Sequence, residues 1–344
     1  MTPAYHSRNR RPKHMSTGVV VPYFQREPGI LLKALESVFA QHDADVSSVV
    51  VVDDASPSPA EADIANLDAD QRNRVVILHQ ANGGPGAARN TALSHFGTDI
   101  EFVAFIDSDD QWDATHLARG LNALAKGYDV YFSNLLDFDS PIDYFQRRGG
   151  LWREHHPQLT STEPVFGYAG RMNAQILAAN FIQLSTVIFR RAAAPSLRFR
   201  TEFRRAGEDI LFWLELARLT NRFCYSTAIE VYYGRGVNVY RSAASGSEAA
   251  FERLRDETRF RRTVLQEFVS DRPDRSNARR ALRQVRKQFA AEILHRLSRR
   301  QTLSMTELTM QWQLDPFSVL SLPVNCIRCV TDWMSPSRDP SLQS

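Results

Sequence analysis

The sequence predicts an α/β protein: a mostly parallel sheet with helices on both faces, followed by a helical, basic C-terminal extension. Three observations lead there. Short runs of valine, isoleucine and phenylalanine recur without polar alternation, as strands buried on both faces require. Segments with apolar residues at helical spacing separate those runs, which is the order of a layered α/β domain. The runs end on polar or acidic residues, and in open α/β sheets ligands bind at the carboxyl ends of the strands.

In chain order, Thr17–Pro22 (TGVVVP) reads as a buried strand stopped by Pro22. Pro28–Gln41 reads as a helix with Leu31, Leu32, Leu35, Val38 and Phe39 on one face. Ser48–Asp53 (SVVVVD) is a second strand, and a weak helix follows over Pro59–Leu67. Arg74–His79, Glu101–Asp107 (EFVAFID) and Asp129–Ser133 are further strands, separated by helices over Pro85–Phe96 and Asp113–Lys126. Asp113 is the expected N-cap of the latter. Residues 138–172 are irregular and read as an insertion over the site, with His155 and His156 on the surface. A strand over Gln183–Arg190, a helix over Gly207–Leu219 and two short strands, Arg222–Tyr225 and Glu230–Tyr233, complete the body. The expected units are a basic disordered segment at 1–15, an α/β domain at 16–240, a helical region at 241–335 and a disordered tail at 336–344.

The 344 residues are 43% hydrophobic and 24% charged, which fits a soluble globular protein with a large core. No stretch approaches the ~18 apolar residues of a transmembrane helix. Residues 1–14 carry four basic side chains with no apolar run after them, so no signal peptide is read there, and Met15 is a second candidate start. The expected location is cytoplasmic, or peripheral on a membrane. Cys326 and Cys329 have a CxxC spacing without the second ligand pair that a zinc site needs, and read as two thiols near a helix end. Charge is uneven: residues 15–250 are net −7 and residues 251–300 net +8. That favours cation chemistry in the body and an anionic surface near the C-terminus.

Four strand-end or helix-start motifs carry the chemistry. Asp53-Asp54 either caps the following turn or binds a nucleotide base or ribose. A dinucleotide-binding fold is excluded, because Val21 to Arg26 supplies no GxGxxG turn. Asn82-Gly83-Gly84-Pro85-Gly86 opens a helix and serves either as a tight turn or as an anion cradle, with Arg89 one turn on. It lacks the Lys-Ser/Thr of a phosphate-binding P-loop. Asp107-Ser108-Asp109-Asp110 is the strongest signal: alternate residues of an extended chain point the same way, so Asp107 and Asp109 converge as hard oxygen ligands. Asp110 points away and serves the turn. Glu208-Asp209 begins a helix and acts either as an N-terminal cap or as a general base.

The ordered set VVVPYFQR, ALESVFAQ, VVVVDDAS, NGGPGAARN, FIDSDDQW and GEDILFWLELA resembles the inverting family 2 glycosyltransferases of the GT-A fold, over residues 17–235. The finer pattern PYFQREPGIL, SPSPAE, GYDVYFSN and YYGRGVN is most similar to succinoglycan-type exopolysaccharide glucosyltransferases. The resemblance implies a UDP-sugar donor, a lipid-linked saccharide acceptor, and Mn²⁺ or Mg²⁺ as cofactor. It implies Asp53 and Asp54 at uracil and ribose, with Pro22, Tyr23, Asn82, Gly83, Gly84, Arg89, Asp107 and Ser108 also lining the donor. Asp109, with Asp107, would hold the metal, and Asp209, with Glu208 beside it, would be the base. Trp112 and Trp213 are expected toward the acceptor. The chain lacks the QxxRW segment of processive synthases, so one sugar per encounter is expected. Rival readings are a nucleotidyltransferase, whose glycine-rich first loop is missing, a sugar-nucleotide-binding protein without catalysis, and an enzyme of another cell-surface glycan.

In residues 276–300, Leu282, Val285, Phe289, Ile293 and Leu297 fall on one stripe of a basic helix. Either that stripe packs on the body, or the helix lies on anionic lipid. Nucleic acid is not an expected partner, because the basic section lacks interleaved aromatics.

Overall fold

The computed structural model describes residues 16–137, 140–151, 155–234, 236, 243, 245–247, 249–269 and 271–334. The segment 1–15 and the tail 336–344 lie outside the described residues. Nine strands among the described residues form one mixed sheet. Its parallel half runs β3 (Val75–His79), β2 (Val46–Asp53), β1 (Thr17–Tyr23) and β4 (Phe102–Phe105). β8 (Ile188–Arg190) then runs antiparallel between β4 and β6 (Val130–Asp137). β9 (Phe223–Tyr233) lies parallel to β6, and its outer edge takes β7 (Val165–Gly167) and β5 (Gln111–Trp112), both antiparallel.

All seven residues of β1 are buried, which explains its unbroken apolar sequence. β3 is an edge strand and only half-buried. Helix α1 (Ile30–Phe39) buries Leu31, Ala34, Leu35 and Val38. Asp63, from α2 (Ala60–Ile64), accepts from the Gly29 and Leu31 amides at 2.6 and 2.9 Å, so α1 is capped from outside itself. The helix expected at Pro59–Leu67 is shortened to α2, and a second short helix, α3 (Ala69–Asn73), precedes β3. Helix α4 (Pro85–His95) packs on β1 and β2, with proline at its first turn.

Three local expectations change. Asp113 does not cap α5 (His116–Leu124) directly. Its carboxylate takes the Thr115 amide and hydroxyl, and the helix starts one turn later than expected. The strand expected at Gln183–Arg190 is a tight 3₁₀ turn over Leu184–Thr186 and then β8, which frees Ser185 to face the end of β4. The two short strands after residue 222 are one strand, β9, with register shifts where it passes Ser133 to Leu135.

The insertion contains α6 (Tyr144–Arg147) and β7, and α7 (Met172–Ala178) follows it. Helix α8 (Glu208–Leu219) leads into β9. The C-terminal helices are α9 (Ala250–Thr263), continued by a π-helical turn, α10 (Arg272–Ser298), α11 (Met305–Leu314), α12 (Pro316–Leu320) and α13 (Leu322–Met334). The stripe of α10 is turned inward: Leu282, Val285, Phe289 and Ile293 are buried, and Phe289 and Ile293 form a small core with Phe251 and Leu254 of α9. Only Leu297 of the five is exposed, so this stripe is not a lipid-facing surface.

Candidate active site

The ends of β1, β2 and β4 and the start of α8 open into a cavity of about 1530 Å³. Pro22, Tyr23, Asp54, Asn82, Gly84, Arg89, Asp107, Ser108, Asp109, Glu208 and Asp209 line it. Asp53, Gly83, Trp112 and Trp213 do not.

At the end of β2 both acids are used by the protein. Asp53 accepts from the amides of Ser56 (2.7 Å) and Ala60 (3.2 Å), which caps the turn into α2. Asp54 takes the amides of Gly83 and Gly84 at 2.7 and 2.8 Å and the Gln80 side-chain amide at 2.7 Å. The glycine turn is thus hung on a carboxylate from the neighbouring strand. Gly84 has φ +86°, a conformation that glycine adopts at no steric cost.

After β4, Asp107 and Asp109 are less buried than the pair at the end of β2. The Arg89 guanidinium donates to Asp107 Oδ1 at 2.9 Å and reaches Glu208 Oε1 at 3.3 Å, so one nearly buried cation joins the two acidic motifs. Asp110 is 1% exposed and accepts from the Ser185 hydroxyl (2.5 Å) and the Gly234 amide (2.8 Å), which fastens the loop to β9. Asp109 accepts from the Gly236 amide at 2.8 Å. Burial, and then the neighbouring charge of Asp107, push the Asp109 carboxyl up to about 6. Ser108 is held by the Gln25 side-chain amide at 3.0 Å.

Glu208 and Asp209 occupy the first turn of α8. Burial and the adjacent Asp209 raise Glu208 to about 7, against the pull of Arg89. Burial also raises Asp209. The turn before them needs glycine twice over: Gly207 has φ +94°, and a Cβ there would meet the Phe260 ring at 2.6 Å. Phe260 lies on α9, so the C-terminal helices press on the start of α8.

The tryptophans are corrected. Trp112 is 4% exposed and donates its indole N–H to the Ser185 carbonyl at 2.7 Å, and Trp213 is wholly buried among Phe105 and Phe212. Both side chains face the core. Sequence reasoning also missed Ser185, Gln25 and Arg204. Ser185 carries no local signal, being 75 residues from Asp110. Arg204 donates to the Asn82 carbonyl at 3.0 Å and so closes over the glycine turn. Gln25 sits in the polar turn directly after β1, at a strand end like the other site residues.

Among the described residues no three His, Cys, Asp or Glu side chains converge as a preformed metal cage. The donor set nevertheless fits a hard cation. Two carboxylates, Asp107 and Asp109, repel one another in a partly dry site, and Mg²⁺-type ions bind through one or two carboxylates with phosphate and water completing the shell.

Residues 18–195 match the family described as Glycosyl transferase family 2. The chain is 30% identical over 295 residues to the succinoglycan biosynthesis protein ExoW of Rhizobium meliloti (strain 1021), covering 86% of this chain and 92% of that protein. It shares its fold with S. aureus TarS 1-349 in complex with UDP (TM-score 0.58, 18% identity, 94% and 93% of the two chains). It does so also with the mannosyltransferase PcManGT from Pyrobaculum calidifontis in complex with GDP-Man and Mn²⁺ (TM-score 0.51, 16% identity, 93% and 88%).

Proposed function

The chain belongs to glycosyl transferase family 2, and from that premise we propose that it transfers a hexose, glucose, from a UDP-sugar to a lipid-linked saccharide with inversion, in exopolysaccharide biosynthesis. The observation that carries the reading is the convergence of Asp107-Ser108-Asp109 and Glu208-Asp209 on one cavity, joined by Arg89. The relative named for succinoglycan biosynthesis and the UDP complex of a fold neighbour support donor and pathway.

Tyr23, Asp54, Asn82 and Gly84, which line the cavity, would meet the nucleotide. Asp107 and Asp109 would hold Mn²⁺ or Mg²⁺, which when bound neutralises charge on the departing diphosphate. Asp209 takes the proton of an acceptor hydroxyl, whose oxygen attacks the anomeric carbon opposite the leaving UDP. The bond from that carbon to the phosphate oxygen breaks, and its electron pair leaves with UDP. Glu208 is kept against Arg89, which orients the start of α8 toward the Asp107 loop. The lipid-linked acceptor puts the reaction on the cytoplasmic face of the plasma membrane.

The test is a UDP-release assay with a panel of UDP-hexoses, with and without Mn²⁺, on the protein and on Asp109→Ala. Mn²⁺-dependent release from UDP-glucose, lost in the variant, is expected. Undiminished release in Asp109→Ala would remove the assigned role.

A further inference from the structure

The last helices bury polar side chains and expose apolar ones. Gln311, Asp315, Ser318 and Asn325 are at most 7% exposed. Phe317, Leu320, Val324 and Ile327 are 62%, 61%, 52% and 65% exposed. Their spacings of three, four and three residues form one continuous stripe across α12 and α13, and Val330 extends it.

The inversion is built in. Asp315 accepts two hydrogen bonds from the Arg286 guanidinium of α10 at 2.7 and 2.8 Å, and Ser318 donates to Asp315 at 2.6 Å. Gln311 donates to Ser318 at 2.9 Å and to Thr258 of α9 at 3.2 Å. Rotating α12 to hide Phe317 would break this buried network, whose unpaired groups are costly. The apolar side is therefore held outward.

We propose that this stripe is a docking face for a bilayer containing anionic lipid, on which α12 and α13 lie without crossing it. No helix among the described residues is long and apolar enough to span a membrane. Charge selects the occupant. Arg328 sits exposed within the stripe, and Arg279, Arg280 and Arg283 are exposed on α10, the helix that α13 packs against. Residues 251–300 carry 15 basic and 7 acidic side chains. A second copy would bring the same positive charge to the contact, whereas an anionic surface meets it with the opposite sign. The face belongs to α12 and α13, not to the stripe of α10, which is spent on the interior. The inference goes beyond the transfer reaction, and the two fail separately: UDP-sugar turnover without vesicles reports on the reaction, vesicle binding on this face.

The experiment is co-sedimentation of the full chain with phosphatidylglycerol-containing vesicles and with phosphatidylcholine vesicles, at low and high salt. Expected is binding to the anionic vesicles, weakened by salt and lowered by about tenfold or more in Phe317→Glu/Ile327→Glu. These surface substitutions should leave UDP-sugar turnover unchanged, which reports that the variant is folded. Arg279→Gln/Arg280→Gln/Arg283→Gln should lower binding to the anionic vesicles only. Wild-type protein that stays in the supernatant, or binding that the apolar substitutions leave intact, overturns the proposal. So does a concentration-dependent dimer that those substitutions dissolve, because the face would then belong to a second copy.

Discussion

The two strands that flank β1 both end on aspartates, and the two sets meet different fates. At the end of β2, Asp53 and Asp54 accept five hydrogen bonds from groups of the protein, four of them backbone amides. At the end of β4, Asp107 takes the Arg89 guanidinium and Asp109 the Gly236 amide, and burial with the charge of Asp107 drives Asp109 up to about 6. The first set organises loops, and in the second Asp109 is raised by burial and by the charge of Asp107, which the proposed metal would offset. A carboxylate at a strand end thus reports its role through the partners that the protein gives it.

The largest effect should come from the pair at the end of β4. Asp109→Asn is expected to cut sugar transfer by about a thousandfold with little loss of thermal stability, since it removes repulsion as well as a ligand. A stable, fully active variant would erase the distinction between the two strand ends. Asp209→Asn is expected to lower the transfer rate by about 10²- to 10⁴-fold while nucleotide binding, read by calorimetry, stays near wild type.

The satisfied set should respond in stability. Asp54→Ala strands the amides of Gly83 and Gly84 and should cost about 1–3 kcal/mol in denaturant unfolding, with a raised KM for donor as the turn loosens. Asp53→Ala should cost about 1 kcal/mol and leave KM close to wild type. If Asp53→Ala instead raised KM as much as Asp54→Ala, Asp53 would have a donor role that its hydrogen bonds do not display.

A pH series gives the smallest change. Glu208, raised to about 7, holds a proton in the folded protein that an exposed glutamate, near ~4.3, has lost. Its contribution to stability is complete below ~4.3 and disappears as pH rises through about 7. The thermal midpoint should therefore fall slightly over that window while transfer increases, as the acidic pair at the start of α8 gives up its proton. A midpoint that rose there would contradict the burial of Glu208.

Much of this was legible in the chain. Unbroken apolar runs placed β1, β2 and β4 to within a few residues, because a strand covered on both faces leaves no room for polar alternation. Helical spacing placed α1, α4 and α8 equally well. β9 read as two pieces because the polar stretch Ser226 to Thr227 hides a strand whose register is set by β6. The tryptophans show the limit most plainly: Trp112 lies two residues after Asp110 and Trp213 four after Asp209, acids that line the cavity, yet both face the core.

By itself, then, the sequence determined the α/β architecture, the acidic motifs and their position at strand ends and a helix start, because those depend on periodicity and local chain direction. The tertiary structure alone decided which partner each acid meets. Asp54 finds its amides 29 and 30 residues away, Asp107 meets Arg89 18 residues back, and Asp110 is held by Ser185 across 75 residues. It also decided that α12 and α13 turn their apolar side outward, because Arg286 pairs with Asp315 from 29 residues away. Hydrogen-bond satisfaction is a property of neighbours in space, and periodicity along a chain does not encode it.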